Sequence, residues 1–206
     1  EKFKEITKRD QFDIVYKNIS LLVKEGFKVK VNAVLIKGFN DNEIIDFVNF
    51  TKDLPISVRF IEFMPFDGNK WDVSKMVSYS EVMTYVNKAF KTEQIERLQD
   101  TPNDTSKNYK IEGYKGSFAI ISSVSNPFCD SCNRLRLTAN GQLKNCLFSS
   151  TESDLLTMLR AGNPIEPIIQ KAVNAKFKIR GGMDTLEKLK KPKLHTNNRS
   201  MTAIGG

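Results

Sequence analysis

Apolar residues recur at helical spacing between Gln11 and Lys24, where Phe12, Ile14, Val15, Ile19, Leu22 and Val23 fall on one side of a 3.6-residue repeat. Gly26 follows as a C-terminal stop. From Lys28 to Ile36, polar and apolar residues alternate and then give way to a wholly apolar end, the pattern of a strand entering a core. Lys37 to Asn42 reads as a loop, with Asn40 or Asp41 placed to cap a helix from Glu43 to Lys52. Pro55 breaks that helix, and Ser57 to Met64 reads as a second strand. This helix–strand–helix–strand order with short loops predicts parallel α/β structure, either a doubly wound sheet or part of a barrel.

Pro65 to Ser74 is a loop carrying the single tryptophan, Trp71. Ser80 stands before Val82, Met83, Tyr85 and Val86 and predicts a capped helix from Glu81 to Phe90. Ile95 to Gly116 is polar and mixed, with room for short strands, and Ser117 to Ser123 is strand-like. Thr151-Glu152-Ser153-Asp154 signals a helix start running to Arg160, ended by Gly162, and Pro164 opens another to about Phe177. Beyond Arg180 the pattern loses its period and reads as an extended tail.

Composition adds bounds to this picture. The chain has 206 residues, 40% hydrophobic and 27% charged, as expected of a soluble globular protein of one domain or a domain and a half. Its apolar runs are too short to span a bilayer. Glu1-Lys2-Phe3-Lys4 has no signal-peptide character and reads as the middle of a helix, so a longer parent chain is expected. Net charge is +8, and from Lys171 to Arg199 there are nine basic residues against two acidic ones. That stretch suits an anionic partner such as a nucleotide, a phosphate or a nucleic acid, although a merely solvated surface accounts for most of these lysines equally well.

The candidate chemistry sits in one stretch. All three cysteines, Cys129, Cys132 and Cys146, are spaced C-x2-C-x13-C, and clustered thiols of this kind suggest a reducing compartment and a metal. Asn140-Gly141 predicts a two-residue hairpin turn, which returns Cys146 beside the strand leaving Cys132 and opposite Leu135. Three readings stand. A structural zinc site needs four protein ligands, and His195, the single histidine, is the available fourth. A buried trio of unreactive cysteines leaves the C-x2-C pair unexplained. An iron–sulfur cluster usually takes four cysteines, so three would leave one iron open to a small molecule. Spacing points to metal binding without separating iron–sulfur from zinc. With one histidine, chemistry built on a histidine base is nearly excluded.

Arg134, Arg136 and Thr138 alternate with Leu135 and Leu137, placing both arginines on one face about 7 Å apart. Two planar donor forks at that separation suit a phosphate chain or a purine edge, whereas the plain reading is two exposed edge-strand arginines. In an unbulged two-residue hairpin they would face away from Cys146.

The stretch from Phe128 to Gly141, followed by Cys146-Leu147-Phe148, closely resembles the second cluster motif of the molybdenum cofactor biosynthesis protein A family, radical S-adenosylmethionine enzymes with GTP 3′,8-cyclase activity. Ile204-Gly205-Gly206 is similar to that family's Gly-Gly end. Lys30-Val31-Asn32, Lys37-Gly38 with Asn40-Asp41, and Arg59 to Met64 resemble its later barrel strands. The resemblance implies the later half of an incomplete TIM-type barrel over residues 1–100, then a C-terminal region over 101–206 with a cluster-binding antiparallel hairpin, helices and a Gly-Gly tail. By the same resemblance, Cys129, Cys132 and Cys146 hold an auxiliary 4Fe–4S cluster whose open iron meets GTP. Lys30, Arg134, Leu135 and Arg136 contact GTP, with Arg59 near the ligand pocket. Met64 lines the S-adenosylmethionine site, and Gly205 and Gly206 reach the active site.

The family's first cluster motif, C-x3-C-x2-C, is missing here, so a second 4Fe–4S cluster is expected only in a full-length chain, and this portion is expected to be inactive alone. The resemblance also implies a cytoplasmic protein without membrane or nucleic-acid partners. It allows a homodimer and a functional link to the cyclic pyranopterin monophosphate synthase step. Two rivals remain. One is a zinc-stabilised basic module using Cys129, Cys132, Cys146 and His195 to bind nucleotide or nucleic acid. The other is a radical S-adenosylmethionine enzyme with a different substrate.

Overall fold

The predicted alternation folds as a mixed α/β unit, and the cysteine stretch folds in a second unit. In a computed structural model, residues 1–191, 194 and 198–203 are described. The first unit comprises Glu1–Phe63 and Lys75–Asn126; the second comprises Met64–Ser74 and the chain from Pro127 onward.

The first unit contains α1 (Lys2–Thr7), α2 (Phe12–Lys24), β1 (Lys30–Leu35), α3 (Ile44–Asn49), β2 (Ser57–Glu62), α4 (Tyr79–Ala89), β3 (Ile95–Arg97), β4 (Lys107–Ile111) and β5 (Ser117–Ile121). Its five strands lie in the order β1-β2-β5-β4-β3. β1, β2 and β5 are parallel, as the helical crossovers require, while β4 and β3 run antiparallel. The expected parallel sheet is therefore only half of it. β3, β4 and β5 are joined by loops with no helix to carry the chain back to the same end of the sheet, so neighbouring strands must reverse.

One face of this sheet is apolar. Ala33, Leu35, Val58, Phe60, Phe118 and Ile120 are buried there with Ile44 and Val48 of α3 and Val82 and Val86 of α4. The period-two alternation that buries these residues turns Lys30, Asn32 and Arg59 to the opposite face, with Asn32 level with Arg59 and Arg59 level with Ala119. At the end of β2, Glu62 is only 2% exposed. Its carboxylate accepts from the backbone amides of Tyr79 at 3.1 Å, Val124 at 2.7 Å and Ser125 at 2.9 Å, and from the Ser125 hydroxyl. Such bonding makes a buried carboxylate tenable and ties β2 to α4 and to the segment after β5.

Some local signals act elsewhere than expected. α4 is capped by Ser78, not Ser80: Ser78 Oγ accepts from the Glu81 amide at 3.3 Å, and the Ser78 amide donates to Glu81 at 2.8 Å, a reciprocal box at the required spacing. Asn40 and Asp41 accept from the Ile36 and Gly38 amides, so they brace the loop and leave α3 without a side-chain cap. α2 forms as predicted, yet Phe12, Ile14, Val15, Tyr16, Leu21 and Leu22 of its apolar side stay exposed. β1 is an edge strand, with no described strand on its outer side.

Among the described residues, the second unit has a three-stranded antiparallel sheet, β6 (Arg136–Leu137), β7 (Gln142–Lys144) and β8 (Ser153–Asp154), and three helices, α5 (Leu156–Arg160), α6 (Glu166–Asn174) and α7 (Leu186–Leu189). Leu143, Leu155 and Ala172 form one small apolar cluster with Ile165, Ile168 and Ile169, and Phe66, Phe148, Met183 and Leu189 are also buried in this unit. The helix predicted from Thr151 starts at Leu156, because Ser153 and Asp154 pair with β7 first; Asp154 then accepts from the Thr157 amide at 3.0 Å. The region beyond Arg180 contains α7, capped by Thr185, and so is not wholly extended. His195, Gly205 and Gly206 lie outside the described residues. Among the described residues, no helix is long and apolar enough to cross a membrane.

Candidate metal centre

The hairpin that carries the cysteines closes with three loop residues instead of two. Arg136 pairs with Lys144 and Leu137 with Leu143, leaving Ala139, Asn140 and Gly141 between Thr138 and Gln142. The Thr138 amide donates to Gln142 O at 2.9 Å, and the Gly141 amide to Thr138 O at 2.9 Å. Gly141 is left-handed, at φ +73°, as a three-residue loop of this type demands. A Cβ there would lie 2.3 Å from Leu156 Cβ, and Gly141 O accepts from the Leu155 and Leu156 amides. Only glycine meets both demands.

That extra loop residue changes the faces. A one-residue shift in register turns every side chain to the other side of a strand. Continued two residues past the ladder, the register brings Arg134 level with Cys146, where a two-residue loop would have placed Leu135. Exposure follows suit: Leu135 is 40% and Leu137 66% exposed, while Arg134 and Arg136 are half-buried. Arg134 also lies over the Phe128 ring, 5.5 Å from its centroid. The two arginines are thus turned inward, contrary to the plain reading of an exposed edge.

Cys129, Cys132 and Cys146 are free, half-buried thiols. They are close enough for the charges of Cys129 and Cys132 to act on Cys146. Each faces a backbone N–H: Cys129 that of Arg180, at 3.4 Å, Cys132 that of Arg134, and Cys146 that of Phe148. Burial pushes the Cys146 thiol up, and the neighbouring thiolates push it further. Burial also raises Cys132, but the Arg134 amide and the Lys176 ammonium outweigh it, and its pKa is lowered. Lys176 Nζ lies 3.5 Å from Cys132 Sγ and donates to Cys132 O at 2.9 Å and Arg134 O at 3.2 Å.

Among the described residues, no three His, Cys, Asp or Glu side chains converge tightly enough to hold a single metal ion.

Neither Lys176 nor Arg180 was singled out from the sequence as a partner of the thiols. The nearest local signal is the glycine pair after Arg180. Arg180 itself is left-handed, at φ +43°, an uncommon state for a residue with a side chain. Gly181 packs so tightly on the turn after Cys146 that a Cβ would lie 2.9 Å from Ser149 N. Lys176 carries no signal beyond being one basic residue among several.

Around the hairpin, Lys144 is wholly buried, its ammonium donating to Ser149 O and, at 3.0 Å, to Asn198 Oδ1, with Glu152 at 3.7 Å. Glu152 pairs with Arg199 at 2.6 Å, and Arg199 reaches Asn140 at 3.0 Å. Met64 lies in this unit, half-buried, its carbonyl accepting from Asn69 at 2.7 Å. A cavity of about 450 Å³ lined by Phe148, Phe177, Met183 and Leu194 with Lys188 and Lys191 contains none of the cysteines. In the first unit, Lys30 and Arg59 share the open sheet face with Asn32, a residue the sequence reading gave no separate role. Arg59 Nε is buried there without a hydrogen-bond partner.

These features define a mixed α/β protein that gathers three amide-faced thiols and two inward arginines on one hairpin. Residues 56–181 match the family described as Molybdenum Cofactor Synthesis C, and the chain belongs to that family. It is 46% identical to the mitochondrial GTP 3′,8-cyclase of Arabidopsis thaliana, over all of this chain and 51% of that one. It is 42% identical to molybdenum cofactor biosynthesis protein 1 of Mus musculus, over 99% of this chain and 31% of that one. It is 39% identical to the GTP 3′,8-cyclase of Listeria monocytogenes, over 85% of this chain and 53% of that one. The chain therefore spans about half, or less, of the length of these relatives.

Proposed function

We propose that the chain is the cluster- and nucleotide-holding part of a GTP 3′,8-cyclase, an enzyme of molybdenum cofactor biosynthesis that converts GTP to 3′,8-cyclo-7,8-dihydro-GTP. The observation that carries this reading is the set of three thiols, each faced by a backbone N–H, on the hairpin that also turns Arg134 and Arg136 inward. Such a set fits a multi-atom 4Fe–4S cluster, and Cys129, Cys132 and Cys146 are the residues that would hold it. When bound, the cluster supplies an iron without a protein thiolate, a Lewis acid for the guanine of GTP. The zinc-stabilised alternative has no support in the relatives.

The chain's own groups bind and orient. Arg134 and Arg136, with the Leu135 backbone between them, present planar donors to the nucleotide from the face nearest Cys146. In the first unit, Lys30 and Arg59 are cationic groups on the open sheet face, and the partnerless Arg59 Nε supports a ligand there. Met64 lines the S-adenosylmethionine site, and Gly205 and Gly206 form a tail that approaches the reacting atoms. The task of groups that bind GTP is to hold ribose and base in line for the reaction. We read the first unit as later strands of a TIM-type barrel. The exposed apolar side of α2 and the open edge of β1 are surfaces that earlier strands would cover. With three cysteines in the sequence, a second cluster needs thiols from elsewhere.

Anaerobic reconstitution with iron and sulfide tests the reading. The expected result is one cluster per chain, with an electron paramagnetic resonance spectrum perturbed by GTP and no cyclase turnover by this chain alone. Stoichiometric zinc with no retained iron would overturn it.

A further inference from the structure

The segment after α6 wraps two of the three thiols, although it lies more than forty residues away in sequence. α6 is fixed to the hairpin by the Asn145 side chain, which donates to Ala172 O at 2.9 Å, and by the packing of Ala172 with Leu143 and Leu155. Lys176 follows directly and is half-buried. Its ammonium donates to two carbonyls, Cys132 O and Arg134 O, and lies 3.5 Å from Cys132 Sγ. Arg180, four residues on, turns its amide to Cys129 Sγ. The Lys176 charge also reaches Cys146, but among the described contacts this segment gives Cys146 no hydrogen bond, so the three thiols are unequal.

We infer that Lys176 is a positioning residue that fixes the Cys132 corner of the metal centre and raises the centre's reduction potential. A cation donating to a ligand sulfur stabilises the more negative, reduced state over the oxidised one. The same ammonium joins the Cys132 and Arg134 carbonyls, so it also sets where the first arginine stands relative to that sulfur. This inference rests on the cluster reading above.

The test uses the reconstituted full chain as wild type, Lys176→Met and Lys176→Arg. Iron and sulfide per chain, far-UV circular dichroism and a potentiometric titration followed by electron paramagnetic resonance are measured on each. The expected result is full iron in all three, a more negative potential in Lys176→Met, and at least partial return in Lys176→Arg. An unchanged potential in a folded, iron-replete Lys176→Met overturns the inference while leaving the cluster reading intact. If Lys176→Met loses its cluster, wild-type protein labelled with 15N-lysine decides. Hyperfine coupling of the reduced centre to a lysine nitrogen supports the inference, and its absence overturns it. Wild type that retains no iron overturns the cluster reading itself, and this inference with it.

Discussion

Fourteen buried hydrophobic residues share one core cluster in the first unit, whereas the second unit has seven buried hydrophobics among the described residues, of which Leu143, Leu155 and Ala172 cluster together. Burial of apolar area, at roughly 25 cal/mol per Å², therefore contributes more to the first unit than to the second. What the second has instead is polar: buried Lys144 on Ser149, Asn198 and Glu152, Asn145 on Ala172, and Arg199 joining Glu152 to Asn140. Under the proposed cluster reading, a metal group held by the three free thiols would add to this smaller apolar core. The difference teaches that, on that reading, the binding centre would itself help order its surroundings.

The contrast can be broken at several points. The largest effect is expected from Phe60→Ala or Phe118→Ala, wholly buried in the first core, at about 3–5 kcal/mol in denaturant unfolding. Cys146→Ser is expected to do the reverse. Iron retention falls to background and the thermal transition of the second unit drops, while the transition of the first unit stays in place; a uniform loss across both would refute the contrast. Gly181→Ala forces a left-handed residue with a side chain against the Ser149 backbone and is expected to cost roughly 1–3 kcal/mol, with less iron retained per chain.

Arg134→Lys keeps the charge but loses the planar fork. By calorimetry on the reconstituted chain, it should weaken GTP binding roughly tenfold or more. The smallest effect concerns acid stability. Arg97 holds the Asp100 carboxyl down at about 2 through a hydrogen-bonded ion pair, against an ordinary aspartate value near about 4. A depressed folded-state pKa contributes stability that is present above the ordinary value and is lost as pH falls through about 2. The pair is about one-third exposed, so Asp100→Asn should flatten the acid limb of the first unit's stability profile only slightly.

Much of this molecule was legible one element at a time. α2, β1, β2, α4 and β5 fall where periodicity and turn residues put them, give or take an end, because those signals depend on neighbours a few residues away. The reversal of β3 and β4 was not legible, since strand direction is set by how the chain crosses the sheet. The exposed apolar side of α2 was not legible either: a helical stripe says which side would be buried, not whether anything is there to bury it.

The thiol stretch shows the same division at the candidate site. By itself the sequence determined that three cysteines and a glycine-bearing turn lie together, because C-x2-C spacing and the left-handed preference of glycine are local facts. The tertiary structure decided the register. Packing of Leu155 and Leu156 on Gly141 accompanies a three-residue loop, and one residue of slip turned Arg134 and Arg136 inward and the leucines outward. It also brought Lys176 and the Arg180 amide to the sulfurs from 44 and 51 residues away. No local pattern carries such contacts, because they exist only once α6 has docked on the hairpin.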